Sequence, residues 1–225
     1  MMNEMPRART ALAILLIAIA PGLAAEQQHR KLFPPQDLVL LEGPDRDAWQ
    51  RPDQIMDELG IADGGVVADL GAGGGWFTIR LAHRVGPNGK VYAEDVQPQM
   101  IEATQRRVER EGLTKTVEMT LGTASDPRLP AGALDAVVIV DAYHEMEQPM
   151  VLLRNLAGSL KPHGRIGIVN FTREGGGPGP PMEERVDPDK VIRDAEAAGL
   201  RLISRPSFLR YQYMLVFGKP ETTTR

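Results

Sequence analysis

The sequence predicts a doubly wound α/β fold, in which a mostly parallel sheet carries helices on both faces. Between residues 66 and 171, short apolar runs alternate with helical segments, as expected for parallel strands joined by helical crossovers. After a last helix, two further strand-like runs flank a turn near Pro206-Ser207, which indicates an antiparallel hairpin. The expected sheet therefore has seven strands, mostly parallel, with an antiparallel C-terminal hairpin at its edge.

Each predicted element is bounded by turn-forming residues. The strands are predicted at residues 66–70, 91–95, 117–121, 136–140, 166–171, 200–204 and 211–217. The helices are predicted at residues 52–60, 76–84, 98–112, 150–160 and 188–198, and a short helical turn at residues 38–41. Residues 161–164 should form the turn that ends the fourth helix, and residues 173–188, rich in glycine and proline, should form a long loop.

Composition limits the classes of function. The chain has 225 residues, of which 42% are hydrophobic and 25% charged, which is ordinary for one globular domain. The formal net charge is −4 with no long basic run, so a nucleic acid is not the expected partner. Because there are no cysteines, a disulfide framework, a thiolate metal site and a cysteine nucleophile are all excluded.

The N-terminus has the pattern of a secretory signal peptide. Arg7 and Arg9 precede an uncharged stretch at residues 10–20, and the small residues Ala24 and Ala25 follow. We predict a signal peptide or N-terminal anchor at residues 1–25, an arm at 26–50 and the α/β domain at 51–220. A cleaved chain would be exported (periplasmic or secreted), and an uncleaved chain membrane-anchored or cytoplasmic. The mature chain should have no stable membrane span, since the apolar stretch is shorter than the ~20 residues that a span needs.

A glycine-rich turn follows the first predicted strand. The strand carries Asp69, and glycines occupy positions 71 and 73–75, where the backbone must turn tightly or approach a ligand. A dinucleotide-binding fingerprint would place a third glycine where Trp76 stands, and no Gly-Lys-Ser/Thr sequence of a P-loop is present. A carboxylate before the turn suits a cofactor with a cationic ammonium group, which favours S-adenosylmethionine.

The second predicted strand ends in Asp95, 24 residues after Gly71. A carboxylate at that position can accept two hydrogen bonds from the vicinal hydroxyls of a ribose. Glu94 is adjacent but should point to the opposite face of the sheet. Asp95 therefore supports nucleotide binding, although dehydrogenases and methyltransferases both use such an acid.

Four segments in this order resemble the successive motifs of class I S-adenosylmethionine-dependent methyltransferases, which have a Rossmann-like fold. The segments are VVADLGAGGGWFTIRLA, VYAEDVQPQMIEAT, LDAVVIVDAYHEMEQP and LAGSLKPHGRIGIVNF, within residues 66–171. The C-terminal hairpin also agrees with this fold. The resemblance implies that methionine binds at the first turn, ribose at the second strand and adenine beside it. The residues implied for the cofactor are Asp69, Gly71, Ala72, Gly73, Gly75, Asp95, Val96, Thr123, Ala124 and Asp141.

The adenine contact departs from the family pattern. The family often has an acidic residue after the third strand, within Gly-Asp-Ala, whereas this chain has Gly122-Thr123-Ala124. Thr123 replaces the acid, so backbone groups or Asp126 are candidates for the adenine contact.

The segment after the fourth strand carries the predicted catalytic residues His144, Glu145 and Tyr143. The resemblance implies that it lines the methyl-transfer channel, often with histidine at the position of His144. His144 or Glu145 can remove a proton if the acceptor arrives protonated. The alternative is that His144 only packs beside the cofactor.

No metal ion is predicted from the sequence. Asp141 and Asn170 could supply oxygen ligands as in magnesium-dependent catechol-type methyltransferases, but the usual second acid is missing, since Val169 precedes Asn170.

The sequence gives little indication of which residues cover the substrate pocket. The candidates are Arg46, Trp49, Arg51 and residues 182–185.

The predicted function is therefore transfer of a methyl group from S-adenosylmethionine to an acceptor, with a small molecule favoured and a protein side chain second. Two alternatives stay open. A catalytically degenerate nucleotide-binding module would bind the cofactor without turnover. An NAD-dependent dehydrogenase would bind NAD, and Trp76 in the third-glycine position argues against it.

Overall fold

The computed structural model describes residues 32–221, and the predicted signal segment lies outside the described residues. The strands are β1 (Val66–Leu70), β2 (Lys90–Asp95), β3 (Val117–Leu121), β4 (Leu134–Val140), β5 (Leu160–Phe171), β6 (Arg201–Ser204) and β7 (Gln212–Gly218). The α-helices are α1 (Arg46–Gln50), α2 (Pro52–Glu58), α3 (Trp76–Val85), α4 (Pro98–Arg110), α5 (Pro149–Ser159) and α6 (Pro188–Ala197). Short 3₁₀ helices cover Pro35–Leu41, Tyr143–Glu145 and Met182–Glu184.

The seven strands form one sheet in the order β3-β2-β1-β4-β5-β7-β6. Strands β1 to β5 pair in parallel, whereas β7 is antiparallel to both β5 and β6. The predicted fold is thus confirmed, including the antiparallel hairpin at the edge. All seven predicted strands are present, and those at 66–70 and 117–121 have the predicted bounds.

Helices cover both faces of the sheet. Apolar residues of α2, α3 and α4 pack on one face, and those of α5 and α6 pack on the other. Residues 136–140 of β4 are all apolar because the strand is buried on both faces: Val138 lies on the first face, and Val137 and Ile139 lie on the second. The helix that follows β1 (α3) and the helix that follows β4 (α5) therefore lie on opposite faces of the sheet.

Two local predictions differ from the structure. Residues 161–164 were expected to form a turn, but they lie within β5, because Leu160 already pairs with Leu134 of β4. The next pairs join Ala136 to Arg165, so the intervening residues of β5 form a bulge. Helix α1 was not predicted, since five residues are too few to show a helical period.

The junction of α1 and α2 has a strained residue. Arg51 ends α1 in the left-handed region, with φ 51° and ψ 55°, and Pro52 begins α2. A residue before proline is disfavoured in the right-handed helical region, so the chain cannot continue α1 straight into α2. The resulting bend orients α1 separately from α2. None of the helices within residues 32–221 has the length and apolar character needed to cross a membrane.

Candidate active site

The carboxyl ends of β2, β1 and β4 meet at one edge of the sheet. Asp69 of β1 lies opposite Ala93 of β2 and Val138 of β4, Asp95 ends β2, and Asp141 directly follows β4. Because the crossovers from β1 and β4 go to opposite faces, this edge is the switch point at which open α/β sheets bind ligands. Three carboxyl groups predicted to bind the cofactor are therefore brought to the same edge.

The glycine-rich turn between β1 and α3 is held by β2. The backbone N–H groups of Gly71 and Ala72 each donate to the carbonyl oxygen of Glu94 at 2.9 Å. The N–H of Gly73 donates to Oδ2 of Asp95 at 3.0 Å. The turn is thus fixed against the end of the neighbouring strand.

Asp95 is buried and keeps capacity for a ligand. Its Oδ1 accepts the N–H of Gln97 at 2.9 Å and its Oδ2 accepts that of Gly73. An ionised carboxylate has about four acceptor sites, so two backbone donors leave room for further donors. Burial raises the pKa of Asp95, and the backbone hydrogen bonds oppose that shift. The neighbouring Glu94 is on the opposite face, with Tyr92, and burial raises its pKa to about 8.

Asp69 is also buried and has a side-chain partner. Its Oδ2 accepts the hydroxyl of Thr78, a residue of α3, at 2.6 Å. Burial raises the pKa of Asp69 to about 6, and the hydrogen bond from Thr78 opposes the shift. Thr78 was not among the site residues predicted from the sequence. The signal that could have identified it is a threonine on the buried, apolar face of a helix.

Asp141 belongs to a closed ring of four side chains. Nε of Arg46 donates to Oε1 of Gln50 at 3.2 Å, and Nε2 of Gln50 donates to Oε1 of Gln212 at 2.7 Å. Nε2 of Gln212 then donates to Oδ1 of Asp141 at 2.6 Å. The ring closes where Nη2 of Arg46 lies 3.7 Å from Oδ2 of Asp141. It links α1, β7 and the end of β4 in the interior.

The backbone and side chain of Asp141 are both unusual. Its φ is 57°, in the left-handed region, which non-glycine residues rarely adopt. Burial raises its pKa to about 6, with the charge of Arg46 and the hydrogen bond from Gln212 acting in the opposite direction. Strained backbone is concentrated at functional sites, which is consistent with a ligand-binding role at this strand end.

Trp76 connects α1 to the glycine-rich turn. It begins α3 directly after Gly75, and the guanidinium groups of Arg46 and Arg80 lie 4.1 and 3.5 Å from the centroid of its ring. Arg80 also donates to both carboxylate oxygens of Asp47 in α1, at 2.8 Å each. These contacts place α1 against the start of α3.

Residues 33–50, which we call the cover segment, lie against the switch point. The N–H of Phe33 donates to Oε2 of Glu145 at 2.8 Å, and Nη2 of Arg107 donates to Oε2 of Glu42 at 2.6 Å. Burial raises the pKa of Glu145 to about 7, and the hydrogen bond from Phe33 opposes the shift.

Tyr143 and His144, both predicted to be catalytic, have different surroundings. The hydroxyl of Tyr143 donates to Oδ2 of Asp194 in α6 at 2.7 Å, and burial raises the pKa of the tyrosine. Nδ1 of His144 and Nδ2 of Asn170 are buried without a hydrogen-bond partner among the described residues. Burial lowers the pKa of His144, with Asn170 opposing the shift, so the imidazole is neutral at neutral pH.

The residues predicted near adenine lie at the ends of β2 and β3, which are neighbours in the sheet. Val96 follows β2 and is half-buried, as are Thr123 and Ala124 after β3. The hydroxyl of Thr123 accepts the N–H of Asp126 at 2.9 Å, and the N–H of Thr123 donates to the carbonyl of Asp126 at 2.8 Å. Thr123 therefore stabilises its own loop.

Within residues 32–221, no group of three or more histidine, aspartate or glutamate side chains is placed to hold a metal ion. Of the two oxygen donors weighed for magnesium, Asp141 accepts from Gln212 at 2.6 Å. Oδ1 of Asn170 accepts the N–H of Phe171 at 3.2 Å. Both donors are thus engaged with protein groups.

Hydrogen bonds from Arg185 stabilise the long loop after β5. Its guanidinium is buried and donates to the carbonyl oxygens of Thr172, Pro178 and Pro180 at 3.0, 3.3 and 3.0 Å. The glycine- and proline-rich segment is therefore held beside the end of β5, on the same edge of the sheet as the carboxyl groups.

The raised pKa of Asp141 predicts a pH effect on stability. A carboxyl whose pKa is raised from 3.8 to about 6 on folding binds more protons in the folded state. Its contribution to stability is therefore present at low pH and is lost as the pH rises through about 6. We expect the stability of Asp141→Asn relative to wild type to increase between about pH 4 and about pH 7. Urea unfolding of the ligand-free proteins across this range measures the difference, and a difference independent of pH would contradict the assignment.

Comparison with known proteins identifies the family. A family model described as a methyltransferase domain matches residues 67–164. Nocamycin O-methyltransferase of Saccharothrix syringae is 35% identical over 133 residues, 59% of this chain and 44% of that protein. The ubiquinone/menaquinone biosynthesis C-methyltransferase UbiE of Hydrogenovibrio crunogenus is 29% identical over 125 residues, 56% of this chain and 48% of that protein. The chain thus spans about half the length of these curated relatives.

A solved structure matches over a larger share. The crystal structure of a SAM-dependent methyltransferase from Aquifex aeolicus superposes with a TM-score of 0.78 at 30% sequence identity. The match covers 83% of this chain and 98% of the Aquifex chain. With the methyltransferase-domain match and the carboxyl-lined switch point, this similarity shows that the chain belongs to the S-adenosylmethionine-dependent methyltransferases.

Proposed function

We propose that this protein transfers a methyl group from S-adenosylmethionine to a small-molecule acceptor. The observation that carries the proposal is the meeting of Asp69, Asp95 and Asp141 at the switch point of the sheet. The candidate acceptor site is a cleft of about 720 Å³ beside α1, with the rings of Trp49, Phe208 and Tyr211 in its lining. This volume is within the usual range of small-molecule sites, which is roughly 300–1,000 Å³. The names of the two curated relatives, a nocamycin O-methyltransferase and a ubiquinone/menaquinone C-methyltransferase, support the same class of acceptor.

The residues at the switch point fit the family's cofactor. Burial raises the pKa values of Asp69, Asp95, Asp141 and Glu145, because carboxylates crowded together away from water are destabilised. A ligand with an ammonium and a sulfonium group would stabilise these charges. We therefore assign the ammonium end to Asp69, Asp141 and the glycine-rich turn, and the ribose to Asp95.

The cofactor supplies a methyl group made electrophilic by its positive sulfur. The protein's part is to align the acceptor and to exclude water, since alignment of reacting groups supplies much of the acceleration of such a reaction. The cover segment and Trp76 are placed to exclude water at this edge of the sheet, because α1 packs on the start of α3 through Arg46 and Arg80.

Deprotonation of the acceptor is assigned to His144 or Glu145. His144 is neutral at neutral pH and its buried Nδ1 lacks a partner in the described chain, so it can accept a proton. Glu145 has a pKa raised to about 7 by burial, and its Oε1 lies 3.7 Å from Nε2 of His144. Tyr143 is left out of this proposal, because its hydroxyl is engaged with Asp194.

The cleft favours a planar acceptor with a negative charge. Arg51 and Arg210 contribute to its lining with the aromatic rings, against the single carboxylate of Asp45. Trp49 lies 5.9 Å from Phe171, ring centroid to ring centroid, so one lining residue of the cleft packs against the last residue of β5. Guanidinium groups beside aromatic rings suit an aromatic anion.

The test is to incubate the protein with methyl-labelled S-adenosylmethionine and either the low-molecular-mass or the protein fraction of a cell extract. We expect label in the low-molecular-mass fraction, and mass spectrometry of the product identifies the acceptor atom. Label confined to protein would contradict the proposed acceptor class. Cofactor binding without label in either fraction would favour the degenerate module.

A variant of the cleft separates acceptor binding from cofactor binding. Trp49→Ala should reduce kcat/KM for the identified acceptor by about tenfold or more, since burial of a large apolar side chain contributes about 1.5–3 kcal/mol. Affinity for S-adenosylhomocysteine should stay unchanged. Val39→Ala, at an exposed position of the cover segment, is the control and should leave both unchanged. An equal loss of both properties in Trp49→Ala would remove Trp49 from the acceptor site.

A further inference from the structure

A buried guanidinium lies among the carboxyl groups of the switch point. The side chain of Arg46 is 10% exposed, and its charge acts on both Asp69 and Asp141. It comes from α1, at a position before the 67–164 region that matches the methyltransferase-domain model. Its role is therefore not part of the sequence motifs that define the cofactor site.

The guanidinium is fixed on three sides. Nη1 donates to the carbonyl oxygen of Leu41 at 2.6 Å, Nε donates to Gln50 at 3.2 Å, and the group lies 4.1 Å from the ring centroid of Trp76. Long side chains lose entropy when they are ordered, so a guanidinium held this way is already positioned for a ligand.

The remaining side of the Arg46 guanidinium keeps N–H donors that can bind a ligand. A guanidinium has five N–H donors, and the contacts with Leu41 and Gln50 use two of them. Asp141 is 3.7 Å from Nη2, which is too long for a hydrogen bond, and its Oδ1 is instead engaged by Gln212. Donors on Nη2 therefore remain for another acceptor beside Asp69 and Asp141.

The amino-acid end of the family's cofactor carries two opposite charges. Its ammonium group matches the carboxylates, whereas its α-carboxylate would be repelled by them unless a cation is adjacent. A planar guanidinium presents paired N–H groups that fit a carboxylate. We propose that Arg46 binds the α-carboxylate of the cofactor, and that Gln50 and Gln212 position it for this contact.

This role gives the cover segment a function in cofactor binding. Arg46 lies on α1, and Asp47 of the same helix is bound by Arg80 of α3. The carboxylate-binding group is thus carried by a part of the chain that precedes the α/β domain and packs on the glycine-rich turn.

The experiment compares two ligands by calorimetry. One is S-adenosylhomocysteine, and the other is its decarboxylated analogue, which lacks only the α-carboxylate. Wild type should bind the analogue about 10- to 150-fold more weakly, the range for hydrogen bonds to a charged group. Arg46→Gln should bind S-adenosylhomocysteine correspondingly more weakly and the analogue as wild type does, so that discrimination between the two ligands is lost.

Two further variants complete the design. Arg46→Lys keeps the positive charge but loses the paired N–H groups of the guanidinium. It should therefore retain part of the discrimination between the two ligands. It also serves as a second variant if Arg46→Gln fails to fold. Arg84→Gln is the matched control, because Arg84 joins α3 to Asp53 and Asp57 of α2 through salt bridges away from the switch point. It should discriminate as wild type does.

The outcomes are distinguishable. Weaker binding of both ligands by the same factor in folded Arg46→Gln would overturn the carboxylate contact and make Arg46 a structural residue of the cover segment. Unchanged affinities for both ligands would also overturn it. Failure of wild type to bind S-adenosylhomocysteine at all would overturn the proposed function itself, and the carboxylate contact with it.

Discussion

Asp95→Ala is expected to weaken the binding of S-adenosylhomocysteine by about 1.5–3 kcal/mol, the range for hydrogen bonds to a charged group. This corresponds to roughly a 10- to 150-fold loss of affinity. The carboxylate of Asp95 has acceptor capacity left after accepting the N–H groups of Gly73 and Gln97, and the ribose hydroxyls would use it. The same carboxylate fixes the glycine-rich turn, so the variant loses both a ligand contact and part of the organisation of the site. Calorimetry measures the loss directly.

The adjacent acid provides the control. Burial raises the pKa of Glu94 to about 8, so this group is protonated at neutral pH and Glu94→Gln changes neither its charge nor its size appreciably. Its Oε2 accepts the N–H of Gly71 at 3.4 Å, and the amide oxygen of a glutamine can accept the same N–H. Glu94→Gln should bind S-adenosylhomocysteine as wild type does. Unchanged affinity in a folded Asp95→Ala protein would remove this residue from the ribose site.

Gly71→Ala is expected to destabilise the fold by about 2–5 kcal/mol. Gly71 has φ 73°, where a residue with a side chain costs about 1–2 kcal/mol. In addition, a Cβ at this position would overlap the Cβ of Ala142, directly after the strained Asp141, and overpacking costs about 1–3 kcal/mol. The turn after β1 must therefore approach the turn after β4 closely, which only glycine permits. Urea unfolding measures the change.

Gly112→Ala separates these two causes. Gly112 has φ 70°, nearly the same as Gly71, but a Cβ there would meet nothing within 4 Å. The control should therefore lose only the conformational part, about 1–2 kcal/mol. Equal destabilisation by both substitutions would show that the approach of the two turns costs nothing.

The sheet was predictable because its signals are local. Residues 136–140 of β4 are all apolar because the strand is buried on both faces, and that run is visible in the sequence without knowledge of its neighbours. The bulge in β5 was not predictable, because it depends on the early pairing of Leu160 with Leu134. A segment containing proline and glycine after a helix looks the same in sequence whether it ends in a turn or in a bulged strand.

Part of the candidate site could likewise be predicted from the sequence, and part depends on contacts between distant segments. Asp69, Asp95 and the glycines could be named because each follows or ends a predicted strand. Arg46 could be named only as a possible cover residue, since its contact with Asp141 joins positions that are far apart in the chain. The ring through Gln50 and Gln212 depends on the placement of α1 and β7, and no local pattern indicates it. Sequence motifs therefore located the cofactor edge, and the tertiary contacts show what surrounds it.

Titrating S-adenosylmethionine, and separately NAD, into the folded protein and measuring heat shows whether the carboxyl ends of β1, β2 and β4 bind a cationic nucleoside. We expect saturable binding of S-adenosylmethionine that weakens as the pH falls through about 6, where Asp69 and Asp141 become protonated, and no binding of NAD. Absence of heat with S-adenosylmethionine, or binding of NAD in its place, would contradict this assignment of the cofactor site.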